Sequence, residues 1–223
     1  MNRWIFGAAS AALLIALWTV TGRAADPTPK PTPTPKPAGE WVSLFDGKTL
    51  DGWEMRELGA KGSSEWKVEN GCLTGSGQAS MLFYNKSKYK NFRYRAEANI
   101  SDGGNSGQYV HCPEIKGTFS EGYEIQIDST HRDPIRTGSI YTMVHIFKQL
   151  VPPNTWFTQE VEVVVKDYRG EMLPHFKVWV NGELLYEYID HSKAFPKPGY
   201  FAFQHHDPGS KVLIRKVEVQ ELP

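Results

Sequence analysis

The chain has 223 residues, with 25 Lys and Arg against 25 Asp and Glu, 13% aromatic residues, 15 Pro, 20 Gly and 2 Cys. This length and balance describe one ordinary folded domain and exclude a chain that is disordered throughout. Arg3, Arg23, Lys30 and Lys36 precede residue 39 with only Asp26 among the acids, so residues 39–223 carry 21 positive against 24 negative groups; that balance offers no basic stripe for a phosphate backbone and argues against nucleic acid as a partner.

In chain order, Arg3 supplies a short positive region, Ile5 to Val20 is mostly apolar, and Gly22-Arg23-Ala24 puts small residues where a signal peptidase cuts. The apolar run is shorter than the roughly 20 residues of a spanning helix. Residues 1–24 are therefore expected to be a cleaved signal peptide, leaving a periplasmic or secreted protein with no stable membrane insertion. Residues 25–38 follow as a Pro/Thr/Lys-rich linker, in which Pro27, Pro29, Pro31, Pro33, Pro35 and Pro37 favour extended polyproline II. Residues 39–223 form the expected folded domain.

Within that domain the signals are those of strands. Phe92, Tyr94, Ala96, Ala98 and Ile100 alternate with Arg93, Arg95, Glu97 and Asn99, the period of a half-buried strand. Shorter candidates run over 42–45, 65–68, 72–74, 81–84, 107–111, 123–128, 157–165, 176–180, 184–188, 200–205 and 212–219. Asn70-Gly71 and Asn181-Gly182 are two-residue hairpin signals, because Asn and Gly accept the positive φ those turns need. No segment keeps a helical period over three turns, and no repeat of fixed period suggests a propeller. The expected fold is all-β, an antiparallel β-sandwich or jelly roll. Cys72 and Cys112 are either a disulfide or two buried thiols; spacing alone decides neither.

Two tracts carry candidate chemistry. In Gly122–Asp128, sending Tyr123, Ile125 and Ile127 to the core places Glu124, Gln126 and Asp128 in a row on the opposite face. A sugar surface needs such donors and acceptors, and a plain solvated face has the same pattern. In Gly199–Asp207, Gln204 and His206 share one face and His205 the other. His206 with Asp207 suits an acid/base unit or metal ligands, and equally an ordinary hydrogen-bonding pair. His111 and His145 are further histidines of lesser weight. Asn105-Ser106-Gly107 permits close backbone approach to a ligand, or a simple hairpin. There is no nucleophile elbow, phosphate loop, zinc-type Cys/His spacing or dinucleotide fingerprint.

Taken in order, Leu44-Phe45-Asp46-Gly47-Lys48-Thr49-Leu50-Asp51-Gly52-Trp53, Trp66-Lys67-Val68-Glu69-Asn70-Gly71, Asn105-Ser106-Gly107, Gly122-Tyr123-Glu124-Ile125-Gln126-Ile127, Thr137-Gly138-Ser139-Ile140-Tyr141 and Gln204-x-His206 resemble the 3-keto-disaccharide hydrolase domain family over residues 40–222. The resemblance implies a concanavalin A-like jelly roll acting on glycosides oxidised at C3. Ile214-Arg215-Lys216-Val217 keeps only the Arg of a Phe-Arg-Asn-Ile-like family segment, Asp207 replaces a small residue, and His205 stands where an acidic residue is common.

A C3 ketone acidifies the C2 proton, so the implied route is proton abstraction, elimination of the C1 substituent and hydration, which needs a base, enolate stabilisation and an acid. On this reading Glu124 is a base or metal ligand, and His206 an acid/base or metal ligand. Asn105, Gln126 and Gln204 bind substrate, and Tyr141 and Arg215 steady the site. A divalent metal ion polarising the ketone is compatible with the chemistry, with Glu124, His206 and His111 as candidate ligands. The expected partner is a carbohydrate. The competing readings are a non-catalytic carbohydrate-binding sandwich and an inert sandwich held off the envelope by the spacer.

Overall fold

The structure, a computed structural model, describes residues 39–119 and 121–223; the expected signal peptide and linker lie outside the described residues. Among the described residues, thirteen strands make two antiparallel sheets. The larger contains β1 (Trp41–Ser43), β3 (Ser64–Glu69), β4 (Cys72–Gly77), β6 (Phe92–Ile100), β9 (Phe157–Tyr168), β10 (Glu171–Val180), β11 (Glu183–Ile189) and β13 (Val212–Glu221). Its order is β11-β10-β9-β6-β13-β4-β3, with β1 added beside β13. The smaller has the order β2-β5-β12-β7-β8, from β2 (Trp53–Glu57), β5 (Ser80–Tyr89), β7 (Asn105–Cys112), β8 (Tyr123–Asp128) and β12 (Gly199–His205). Neighbours far apart in sequence, such as β6 with β13 and β5 with β12, give the crossing pattern of a jelly roll.

The turns follow their chemistry. Asn70 and Gly71 have φ of 52° and 76°, and Asn181 and Gly182 have 52° and 80°, the left-handed pairs that two-residue hairpins require. Arg169-Gly170 does the same between β9 and β10. β2 has no counterpart among the expected strands. It offers only Trp53 and Met55 as apolar residues and follows an Asp-Gly turn, so its pattern is too short to register in sequence.

The core between the sheets is built by alternation. Phe92, Tyr94, Ala96, Ala98 and Ile100 point inward, while Arg93 and Arg95 turn outward to pair with Glu160 and Glu218. Tyr94 stacks on Phe201 of β12 with ring centroids 3.9 Å apart, and Phe201 in turn stacks on Tyr89 at 4.7 Å. Gln159 enters this core as well, donating to the Gln108 side chain and the Ile125 carbonyl and accepting from Gly138 N–H, so its amide is satisfied on both ends.

The smaller sheet is covered on its other face too. Met81, Phe83, Tyr109, Cys112 and Ala202 form a second buried cluster, packed by Leu58, Ile115, Phe119 and Tyr200. Cys72 lies in the larger sheet and Cys112 in the smaller, both as buried free thiols. A reductant should therefore leave the melting temperature unchanged. Phe201→Ala, which removes the ring shared by Tyr94, Tyr89 and Phe92, is expected to cost about 3–5 kcal/mol in a urea titration.

Candidate active site

Three neighbouring strands of the smaller sheet send polar side chains to its covered outer face. β7 contributes Asn105 and Tyr109, β8 contributes Glu124 and Gln126, and β12 contributes Gln204 and leads directly to His206. These six line one cavity of about 350 Å³, with Gly122, Tyr123, Tyr141, Thr142, Met143, Phe119 and Phe195 completing its wall. Gly107, between Asn105 and Tyr109, makes the arrangement fit: a Cβ there would lie 2.5 Å from Glu124 Oε1. Tyr141 arrives on a segment hydrogen-bonded along β8, through Gln126 N–H to Ser139 O, Gly138 N–H to Gln126 O and Tyr141 N–H to Glu124 O.

The amides are oriented by protein on one side and free on the other. Gln126 Nε2 donates to Asn105 Oδ1 at 2.9 Å, and Gln204 Nε2 donates to the Tyr109 hydroxyl at 2.9 Å. The buried Oε1 atoms of both glutamines have no protein partner. Two such acceptors on a cavity wall are suited to ligand hydroxyl donors. Tyr109 also donates to Phe119 O at 3.2 Å, tying down the covering segment. Phe195 is set by a buried brace: Tyr123 donates to Asp190 Oδ2 at 2.6 Å while its hydroxyl accepts Phe195 N–H at 3.0 Å.

Glu124 retains some surface, yet protein surrounds its carboxyl closely enough that burial pushes its pKa up to about 8; a hydrogen bond with Tyr109 opposes the rise and the nearby Asp133 charge adds to it. The carboxyl is thus poised to exchange a proton near neutrality. Burial likewise raises Tyr141, whose hydroxyl donates to Asp133 Oδ2 at 3.1 Å. His206 stacks on Phe119, with centroids 5.0 Å apart. Its Nδ1 lies 3.0 Å from Asp207 Oδ2, and the same oxygen lies 2.8 Å from His131 Nε2. Both are off-axis contacts. Burial raises the pKa of Asp207, but hydrogen bonding and charge from His206 and then His131 outweigh it and hold the carboxyl below its ordinary value.

Arg215 is not part of this cavity. With Ile214 inward on β13, Arg215 points to the outer face of the larger sheet, where it binds Glu97 at 2.6 Å and lies 3.9 Å over the Trp156 ring. His111 is also elsewhere: its Nδ1 and Nε2 face the carbonyls of Phe195 and Lys90 at 2.8 and 2.9 Å, which leaves no nitrogen for a metal. The proposed ligand set of Glu124, His206 and His111 therefore does not assemble, and among the described residues no group of three or more His, Cys, Asp or Glu is arranged to hold a metal ion. His205 is buried between the carbonyls of Gln78 and Ser210, and His145 is an exposed residue beside Phe147. Asp128 does not line the cavity; it accepts His131 N–H and contacts Arg136.

Sequence reasoning missed Tyr109, Phe119, Phe195, His131 and Asp133. Parity along β7 places Tyr109 on the Asn105 face and was a usable signal. The other four come from loops and have none.

A family model described as the 3-keto-alpha-glucoside-1,2-lyase-like domain matches residues 40–220. A 3-keto-disaccharide hydrolase from Bacteroides thetaiotaomicron is 24% identical, over 82% of this chain and 78% of its own length. Among solved structures, a putative glycosyl hydrolase from Parabacteroides distasonis superposes with a TM-score of 0.61 at 20% identity, covering 82% of this chain and all of that one. A lectin from Bauhinia forficata in complex with GalNAc gives 0.53 at 12% identity, covering 82% and 99% of the two chains. These likenesses establish a lectin-like jelly roll, and the match over 40–220 establishes that the chain belongs to the 3-keto-alpha-glucoside-1,2-lyase-like domain family.

Proposed function

We propose that the cavity holds a glycoside whose sugar is oxidised at C3 and cleaves its bond to the aglycone by elimination followed by hydration, in a protein exported from the cell. The observation that carries this reading is the meeting of Glu124, with its pKa near 8, and His206 in one cavity beside the unpartnered oxygens of Gln126 and Gln204. Loss of the C2 proton is made accessible by the neighbouring ketone. Expulsion of the C1 oxygen then gives an enone, and water added at C1, with a proton returned to C2, completes net hydrolysis. An acid/base pair suffices for each proton transfer, so the facing carboxylates of ordinary glycosidases are not required. Membership of the family and the named activity of the Bacteroides relative support this reading, and the signal-like residues 1–24 support export.

A second reading is a sugar-binding module without turnover. The aromatic wall of Phe119, Tyr141 and Phe195 favours it, because sugar faces stack on such rings. Release of free sugar from a 3-keto-glucoside separates the two: saturable binding with no product selects the module.

For the enzyme, Glu124→Gln and His206→Ala should each slow sugar release from a 3-keto-disaccharide by at least ~100-fold, while wild-type rates in both would remove the assignment. Gln126→Leu and Gln204→Leu should raise KM more than they lower kcat. Glu124 also makes stability depend on pH. Its proton is bound more tightly folded than unfolded, so the stability it contributes is complete below the unfolded value of roughly 4.3 and is lost as pH rises through about 8. Glu124→Gln should therefore melt above wild type at pH 9 and alongside it at pH 4, by differential scanning calorimetry.

A further inference from the structure

The loop that follows β8 brings His131 against the same Asp207 oxygen that His206 approaches. The backbone N–H of Asp133 donates to His131 Nδ1 at 3.2 Å. A backbone amide can only donate, so that nitrogen presents its lone pair, and the ring proton of neutral His131 sits on Nε2. His131 Nε2 then lies 2.8 Å from Asp207 Oδ2, off the N–H axis, and the same oxygen is 3.0 Å from His206 Nδ1. Asp207 is held as a carboxylate. Even off-axis, a ring lone pair 3.0 Å from a carboxylate oxygen is repelled, whereas a ring N–H there is attracted, so His206 carries its proton on Nδ1 and keeps Nε2 as a free lone pair.

The assembly is anchored around this arrangement. Ser210 N–H closes the turn onto Asp207 O at 3.1 Å, buried His205 holds Ser210 O at 2.8 Å, and His206 N–H reaches Asn105 O at 3.3 Å. Phe119 lies along the His206 ring.

From this geometry, and resting on the reading that the cavity cleaves 3-keto-glycosides, we propose that His206 Nε2 is the base that removes the C2 proton, that Glu124 is the acid that protonates the departing oxygen, and that Asp207 and His131 are positioning residues that fix the His206 tautomer. The C2–H bond breaks as its proton moves to Nε2, and its electron pair forms the enolate C2=C3. The enolate collapses to C3=O with formation of C1=C2. The C1–O bond breaks toward the leaving oxygen, which takes the Glu124 proton. Water then adds at C1, giving a proton to the Glu124 carboxylate, and the imidazolium returns its proton to C2, so both residues recover their starting states. The imidazolium is met by the Asp207 carboxylate. Glu124, by contrast, is faced by Tyr109 and Cys112 from β7, by Asp133 from the following loop and by Tyr141, with no cation among them, which favours its protonated form.

The roles separate by leaving group. On a 3-keto-glucoside with a 4-nitrophenol aglycone, which needs no proton to depart, Glu124→Gln should release nitrophenol in a single turnover within about tenfold of wild type, whereas on a 3-keto-disaccharide it should lose at least ~100-fold; His206→Ala should lose at least ~100-fold on both. Glu124→Gln inactive on the nitrophenyl substrate, with His206→Ala active there, would overturn the assignment. Wild-type kcat/KM should also fall as pH rises through about 8, and a rise there would count against an acid role for Glu124. His131→Phe and Asp207→Asn should lower kcat about tenfold with KM little changed. Independently of any substrate, ¹⁵N–¹H correlation spectra of the wild-type histidine rings should show His206 as the Nδ1–H tautomer and His131 as Nε2–H, with His206 shifting toward Nε2–H in Asp207→Asn. An Nε2–H tautomer of His206 in wild type would overturn the positioning role. Absence of sugar release by wild type from every 3-keto-glycoside would overturn the substrate reading and the two roles with it, leaving the tautomer measurement to decide the positioning of His206 by itself.

Discussion

A carboxylate can lie flat under cover on a sheet face only where the neighbouring strand leaves it room, and Gly107 leaves that room beside Glu124. Any side chain there would force the carboxyl to shift from its present place. The elevated pKa of Glu124 thus depends on a missing methyl group on β7 as much as on the covering segment around Phe119. The rest of the cavity follows from the same constraint. Strands β8, β7 and β12 lie side by side, so one parity of each strand delivers the acid, the amides and the approach to His206 to a single hollow.

Much of this was legible because alternation is a local property. Tyr123, Ile125 and Ile127 occupy the core and Glu124 and Gln126 the opposite face, as the pattern of residues 122–128 requires. Strands β6 and β8, one in each sheet, have the bounds their sequence patterns suggest. What alternation does not convey is which face receives a second layer. The row Glu124, Gln126 reads equally as a solvated surface until Phe119 is seen to wall the same cavity, and that residue belongs to a connection without periodicity.

The same limit explains the misplaced residues. Arg215 follows an inward Ile214, and parity alone assigns it to the outer face of the larger sheet, where Glu97 and Trp156 engage it; only the likeness to a family segment had drawn it toward the site. His131 is the opposite case. Nothing in a turn of Ser, Thr, His, Arg, Asp and Pro marks one imidazole as special, and its place beside Asp207 depends on Asp128 and the Asp133 amide folding that loop back on itself. The jelly roll itself is compatible with either binding or catalysis, so the functional argument comes from the proton-transfer groups and not from the architecture.

β8 ends the smaller sheet, and its outward backbone groups are taken up by the segment that carries Tyr141, through the carbonyl of Glu124 and the amide and carbonyl of Gln126. An open edge rich in isoleucine is a template on which another chain can add itself and begin to aggregate. The short stretch that furnishes the cavity with a tyrosine therefore also acts as a guard for solubility. Sequence changes that loosen it would be filtered out by precipitation of the protein even in a setting where its substrate never appears.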